Sequence, residues 1–374
     1  MFPKERVLLM ARMKQKLSVK KKFGIALSII LELLVIADGV MSVYVYEDTF
    51  NKRFASYEPL MLSVSDFKGL ERTRYQFPSD KGQMLTGYMY SSGVQKKGIV
   101  IMSHGFGGGG HNSYMDCADY FTKQGYLVFA FDITGNDESE GEAVGGFPQG
   151  VIDLDRAITF VENSEAFKEW RKLPIFLFGH SWGGYSVCSV LQFHPEIKAV
   201  IEISGFNRSS DLIEAQGKQM VSYGIYAMMP FVNLYESIKF GKYASATAMD
   251  GFEASDAAVF VVHSADDNIV PIEYGFDKYY EKYKDDTRFT FLRLEDRGHS
   301  YVYNDMTYIN EFNEAFDKWL ETLDYDYQAE ENKERFIADK ADYIHANLDR
   351  GRWCNMLDKE LFDRFVRFYD SHIQ

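Results

Sequence analysis

Cysteine is scarce in this chain. Cys117, Cys188 and Cys354 are the only three among 374 residues, odd in number and far apart. That excludes a disulfide scaffold and any cysteine-rich metal cluster. The eight histidines show neither HxxxH nor HExxH spacing, so no helix-borne zinc site is implied. Positive charge is also in deficit. A net charge of −14 would repel phosphate, which argues against nucleic acid as a main partner. Internal repeats and low-complexity tracts are missing. What is present is 46% hydrophobic and 16% aromatic residues, enough for a sizeable core and incompatible with global disorder.

The most informative stretch is Leu173-Pro174-Ile175-Phe176-Leu177-Phe178-Gly179-His180-Ser181-Trp182-Gly183-Gly184. Its first half is a short apolar run, the mark of a buried parallel strand. Its second half is Gly-x-Ser-x-Gly, and residues 185–194 continue as a helix. A strand that turns at once into a helix, with serine at the apex, is a nucleophile elbow. The sharp turn needs neighbours without side chains. The helix N-terminus there offers free N–H groups and a positive dipole end to a developing oxyanion. Serine is a poor nucleophile alone, so the elbow predicts a histidine and an acid further along the chain.

The rest of the chain supplies a frame for this turn. Residues 72–77 and 84–90 alternate around Pro78-Ser79-Asp80-Lys81-Gly82, which predicts a hairpin. Buried strands are expected at 97–102 and 126–131, and further strands at 197–204, 257–263 and 289–294. Helices are expected at 111–125, 148–161, 273–283 and 307–323. Strands alternating with helices imply a mainly parallel sheet covered on both faces. Residues 206–255 break the rhythm and are rich in Met, Tyr and Phe. They read as a cap insert over the strand ends, where sites in such sheets lie. Its composition suggests an apolar acyl or aryl group as ligand. From 326 to 374 the chain is charged, with a solvated helix at 330–348. A second helix at 357–368 carries an apolar face that must pack on the body.

The N-terminus is different in kind. Residues 1–22 hold Lys4, Arg6, Arg12, Lys14, Lys16, Lys20, Lys21 and Lys22 against one acid, Glu5. Residues 23–46 are mostly apolar and long enough to span a bilayer. The positive-inside rule then keeps the basic tail cytoplasmic and puts the remainder outside. Glu32 and Asp38 interrupt the stretch at a cost of roughly 2.5–3.5 kcal/mol each near the bilayer centre. A cleaved signal, giving a secreted protein, and a soluble amphipathic helix are the alternatives; Ala37-Asp38-Gly39 makes a poor cleavage site. Residues 47–69 read as a polar juxtamembrane segment.

The partners that the elbow requires come in the right order. Asp267, four residues before Pro271, lies in a loop just past a strand; Asp266 is the fallback. His299 follows Gly298 in the loop after the last strand and is placed to take the proton of Ser181. The run His104-Gly105-Phe106-Gly107 supplies one oxyanion donor, the Phe106 N–H, and the Trp182 N–H supplies the other. His104, Asp132 and Ser139 are read as loop-fixing, His180 as the variable residue of the elbow, and His263 as a partner of the acid loop.

These motifs together resemble the α/β-hydrolase superfamily, and within it the serine aminopeptidase S33 and monoacylglycerol-lipase-like group. The resemblance covers about residues 70–325. It rests on residues 104–107, the Asp132-to-Ser139 loop, residues 179–184, Asp267 with Val270-Pro271, and Gly298-His299. It departs from the family at Asn136-Asp137, where a His-Gly pair is usual. The resemblance implies a Ser181–His299–Asp267 triad and no cofactor, and the histidine spacing implies no metal. Its substrate would be a small-molecule ester. A peptide is the first alternative, with Glu138, Glu140 and Glu142 as a rim for an amino terminus. A catalytically silent, membrane-tethered binding protein is the second.

Overall fold

The computed structural model describes residues 19–94 and 96–373. Most of the basic tail, residues 1–18, lies outside them. Apolar runs too short for helices build the centre. They form β1 (Glu71–Pro78), β2 (Met84–Ser91), β3 (Gly98–Ser103), β4 (Tyr126–Phe131), β5 (Ile175–His180), β6 (Ala199–Ile203), β7 (Ala258–Ser264) and β8 (Phe289–Leu294). The helices are α1 (Val19–Phe50), α2 (Met115–Lys123), α3 (Pro148–Asn163), α4 (Trp182–Ser189), α5 (Ser209–Val221) and α6 (Ile225–Phe240). They continue with α7 (Ala248–Ala254), α8 (Phe276–Tyr283), α9 (Met306–Leu320), α10 (Lys333–Asn347), α11 (Arg350–Trp353) and α12 (Lys359–Asp370).

One sheet holds all eight strands in the order β1-β2-β4-β3-β5-β6-β7-β8. The hairpin β1–β2 and its junction with β4 are antiparallel, and every other pairing is parallel. Strands β3, β4, β6 and β7 are buried at every residue. A strand covered on both faces has no polar side to show, hence the unbroken apolar runs. Because β3, β5, β7 and β8 are parallel, their C-terminal ends meet along one edge. That edge carries the loops after residues 103, 180, 264 and 294.

Each face of the sheet has its own core. One packs α3, α4 and the insert helices. The other packs α2 and α12. Helix α12 buries Phe362, Phe365 and Tyr369, and the Tyr369 hydroxyl donates to Leu177 O of the elbow strand at 2.6 Å. The chain's last helix is thus a layer of the body itself. Helix α9 buries only Ile309 and stands outside that layer.

Helix α1 has two parts. Residues 20–37 are exposed along their length, and residues 20–50 contain a stretch apolar enough to cross a membrane. From Asp38 onward the helix docks. Gly39 abuts the Phe231 ring, the Tyr46 hydroxyl donates to Glu236 at 2.9 Å, and Glu47 accepts from Tyr235 at 2.7 Å and Lys239 at 2.5 Å. Contacts 39–231, 46–236 and 47–239 rise together, so α1 and α6 run side by side in the same direction. The opposite face of α6 exposes Tyr226, Pro230, Leu234 and Ile238 at four-residue spacing. A helix apolar on both its packed and its open face is unusual in water and ordinary beside lipid.

Candidate active site

The elbow forms as its glycines demand. Ser181 sits between β5 and α4 with φ +59°, a left-handed conformation that costs a non-glycine residue about 1 kcal/mol or more. A Cβ at Gly183 would overlap the Ser103 carbonyl, and one at Gly179 would overlap the Gly183 backbone. Strand and helix therefore close on each other only with glycine at both places.

Three loops bring the other residues to it. The loop after β8 carries His299, whose Nε2 accepts from Ser181 Oγ at 2.8 Å. Its Nδ1–H donates to Asp267 Oδ2 at 2.7 Å. Asp267 Oδ1 accepts from the Ile269 and Val270 N–H groups at 2.9 and 2.8 Å. Asp266 acts elsewhere. Its carboxylate accepts from the Ser264 hydroxyl and the Gly298 N–H, which shapes the histidine loop. Burial opposes ionisation of Asp267, but hydrogen bonds from His263 and His299 outweigh it, so the carboxyl lies well below its usual range. An anion fixed there holds the imidazole in the tautomer that leaves Nε2 free to accept.

Among the described residues the Phe106 and Trp182 backbone N–H groups have no backbone acceptor. The Phe106 ring packs edge-on against Phe50 and Phe54, at 5.7 and 4.9 Å between centroids, and against Trp182 at 5.6 Å. The end of α1 thus touches the side chain of an expected oxyanion residue.

His104 holds its loop, with Nδ1–H donating to Gly105 O and Nε2 accepting from Ile133 N–H. Asp132 accepts from the His111 ring and backbone, and Ser139 donates to Asp132 O. His263 is buried at the end of β7, its Nε2 2.8 Å from Val270 O and 3.3 Å from Asp267 Oδ2. His180 does more than a variable residue would. Its Nε2–H donates to His299 O at 3.0 Å, and its Nδ1 accepts from Tyr114 OH at 2.9 Å. Burial depresses its pKa to about 3, so it braces the histidine loop as a neutral ring. No local pattern announces this brace, because its two ends lie 119 residues apart.

Behind the triad, Glu202 is fully buried beneath the elbow and accepts from the Gly205 N–H. Burial raises its pKa from 4.5 to about 7, with His263 pulling the other way. Between those values the unfolded chain ionises Glu202 while the folded one keeps its proton. The unfolded state then binds fewer protons, so stability falls as pH rises through that window. The size is roughly 3 kcal/mol. Glu202→Gln is expected to remove this component. Thermal unfolding in detergent near pH 5 and near pH 8 checks it, with the gap in Tm shrinking in the variant.

A cavity of about 380 Å³ opens over Ser181 and His299. Its apolar wall is made by Leu60, Met61, Leu62, Phe106, Trp353 and Met356. The expectation that the insert 206–255 supplies this surface is not met: none of the lining residues comes from it. Those helices turn their apolar sides to the body, to α1 and outward. Glu138 pairs with Arg74 and Tyr88, and Glu140 holds the Met84 N–H, so neither faces the cavity. The three cysteines are buried and unpaired. Outside the cavity, Glu162, His194 and Glu196 cluster, but both His194 nitrogens are already engaged by Asp155 and Glu196.

Known proteins share this frame. A family model described as serine aminopeptidase, S33 matches residues 94–240, which include the glycine loop and the elbow. A solved esterase of Pyrococcus furiosus superposes with a TM-score of 0.51 at 17% identity, covering 72% of this chain and 97% of that one. The chain has the α/β-hydrolase fold. It is also similar to two curated proteins. Caffeoylshikimate esterase of Arabidopsis thaliana is 28% identical over 131 residues, 34% of this chain and 39% of that protein. Monoglyceride lipase of Rattus norvegicus is 34% identical over 106 residues, 28% of this chain and 33% of that protein. The chain thus aligns with little more than a third of the length of these relatives. Its linker after α1 and everything beyond α6 lie outside the family match.

Proposed function

We propose that this hydrolase is a membrane-tethered serine esterase acting on a small ester with an apolar acyl or aryl group. The observation that carries the reading is the unbroken hydrogen-bond line from Ser181 through His299 to Asp267. In this mechanism Ser181 Oγ attacks the ester carbonyl carbon while His299 Nε2 takes its proton. The Phe106 and Trp182 N–H groups hold the oxyanion, an interaction worth about 3 kcal/mol of barrier per donor. Collapse breaks the bond to the alkoxy group, which leaves with the proton from His299. Water then attacks the acyl-enzyme with the same base, releasing the acid and restoring Ser181.

Esters rank above peptides because, of the carboxylates that could hold an amino terminus, Glu138 and Glu140 are engaged elsewhere and Glu142 is exposed and does not line the cavity. A panel of p-nitrophenyl esters beside aminoacyl amides tests the choice. Turnover of the esters with the amides untouched is expected. Faster cleavage of the amides would turn the reading to a peptidase.

The exposed apolar part of α1 is read as a membrane span with the basic tail inside and the catalytic domain outside. The open face of α6 would lie against the same bilayer. Removal of residues 1–37 is expected to free the enzyme from carbonate-washed membranes with its esterase activity kept. Removal through residue 50 is expected to lower kcat about tenfold or more, because Phe50 no longer supports Phe106; misplacement of a catalytic group by about 1 Å has effects of that order. Esterase assays of both truncations make the comparison.

A further inference from the structure

Two segments outside the family match meet over the cavity. The linker after α1 contributes Leu60, Met61 and Leu62, and the end of α11 with the turn after it contributes Trp353 and Met356. They hold each other directly. The Trp353 indole N–H donates to Leu60 O at 3.0 Å. Arg350 donates to Met61 O at 2.9 Å and pairs with Asp66. Beside them, His345 lies 3.3 Å from the Glu58 carboxylate, and Lys340 stands over the ring of Tyr57, which also lines the cavity.

The linker's near end is fixed too. Asp137 accepts from the Ser56 N–H and hydroxyl, both at 2.6 Å, and from the Gly110 N–H at 2.8 Å. Phe54 forms a parallel bridge with Asn136. The residues that stand where the related group carries His-Gly therefore tie the linker to the glycine loop. The turn's far end is fixed to the catalytic side. Arg297, two residues before His299, pairs with Asp358 at 2.9 Å, and the Asp305 N–H donates to Met356 O at 2.6 Å.

We propose that residues 56–62 and 353–356 form a clasp that sets the length of the acyl group this enzyme accepts. The proposal rests on the esterase reading of Ser181. A wall of fixed indole and thioether groups favours acyl chains that fill the space and excludes longer ones. A single methylene in such a pocket changes kcat/KM by about tenfold or more. Apart from Phe106, the apolar wall is built by two chain segments that the family match omits. Chain-length preference would then be a property of these two segments, and the insert would contribute little to it.

The test measures kcat/KM of the full chain in detergent for p-nitrophenyl esters of two to sixteen carbons, per site titrated with a fluorophosphonate. Trp353→Ala opens the wall. It is expected to raise the ratio of the longest to the four-carbon ester about tenfold, with the two-carbon ester nearly unchanged. Met61→Trp, at a half-open position that tolerates bulk, narrows the wall and is expected to lower that ratio. Met61→Trp keeps the test valid if Trp353→Ala does not fold. A common loss across all chain lengths in both variants, with labelling intact, overturns the clasp and leaves the esterase reading standing. Failure of the wild type to label or to cleave any ester overturns that reading and the clasp with it.

Discussion

Ser181→Ala is expected to lower kcat for ester hydrolysis by about 10⁴-fold or more, with the fold and substrate binding kept. Alanine removes the one atom that forms the acyl-enzyme. Residual catalysis would come from the oxyanion N–H groups and from binding alone. The hydroxyl is almost closed off from solvent and its removal leaves a small gap, so stability changes little. The left-handed backbone at this position is no easier for alanine than for serine. A burst of p-nitrophenol in stopped-flow measurements of the wild type, lost in the variant, separates the covalent step from any background hydrolysis.

Asp267→Asn is expected to cost about 10⁴-fold in kcat with little change in KM. The carboxylate now accepts on both oxygens, from two backbone amides and from two imidazoles. An asparagine that keeps the amide bonds through its oxygen turns its NH₂ group to His299. Two donors then face each other. The ring relieves this by moving its proton to Nε2, where it can no longer accept from Ser181. The same geometry gives a pH dependence of stability. The folded carboxyl titrates below its unfolded value of 3.8. Its contribution is therefore complete above that value and lost as pH falls through the folded pKa. The asparagine variant should lack that acid-side component, which equilibrium unfolding below about pH 4 would detect.

What the sequence makes legible here follows from range. Strand 126–131 is covered on both faces and declares itself as an apolar run, and 289–294, half-buried at the sheet edge, keeps its boundaries as well. The elbow is legible because its strain is local and only glycines relieve it. Asp267 and His299 are legible because each follows a strand at the same edge of the sheet. The features that stay hidden depend on contacts between distant residues. The Trp353–Leu60 bond spans 293 positions, and no periodicity encodes it. His180 reads as filler in a motif, and its role exists only once the His299 loop lies against it. Helix α1 runs to Phe50 rather than stopping near 46. Tyr46 and Phe50 are core residues of the body, and polar neighbours such as Glu47 disguise that. Composition alone points the insert toward the ligand. Its apolar surface instead meets α1 and the outside, a distinction that composition does not carry.

The most direct measurement of the central claim is covalent labelling of the intact chain with a fluorophosphonate, with the adduct located by mass spectrometry. A nucleophilic Ser181 predicts a single adduct on that residue, absent in Ser181→Ala and strongly slowed in His299→Ala. A folded wild-type chain that gains no adduct, or gains one elsewhere, would contradict it.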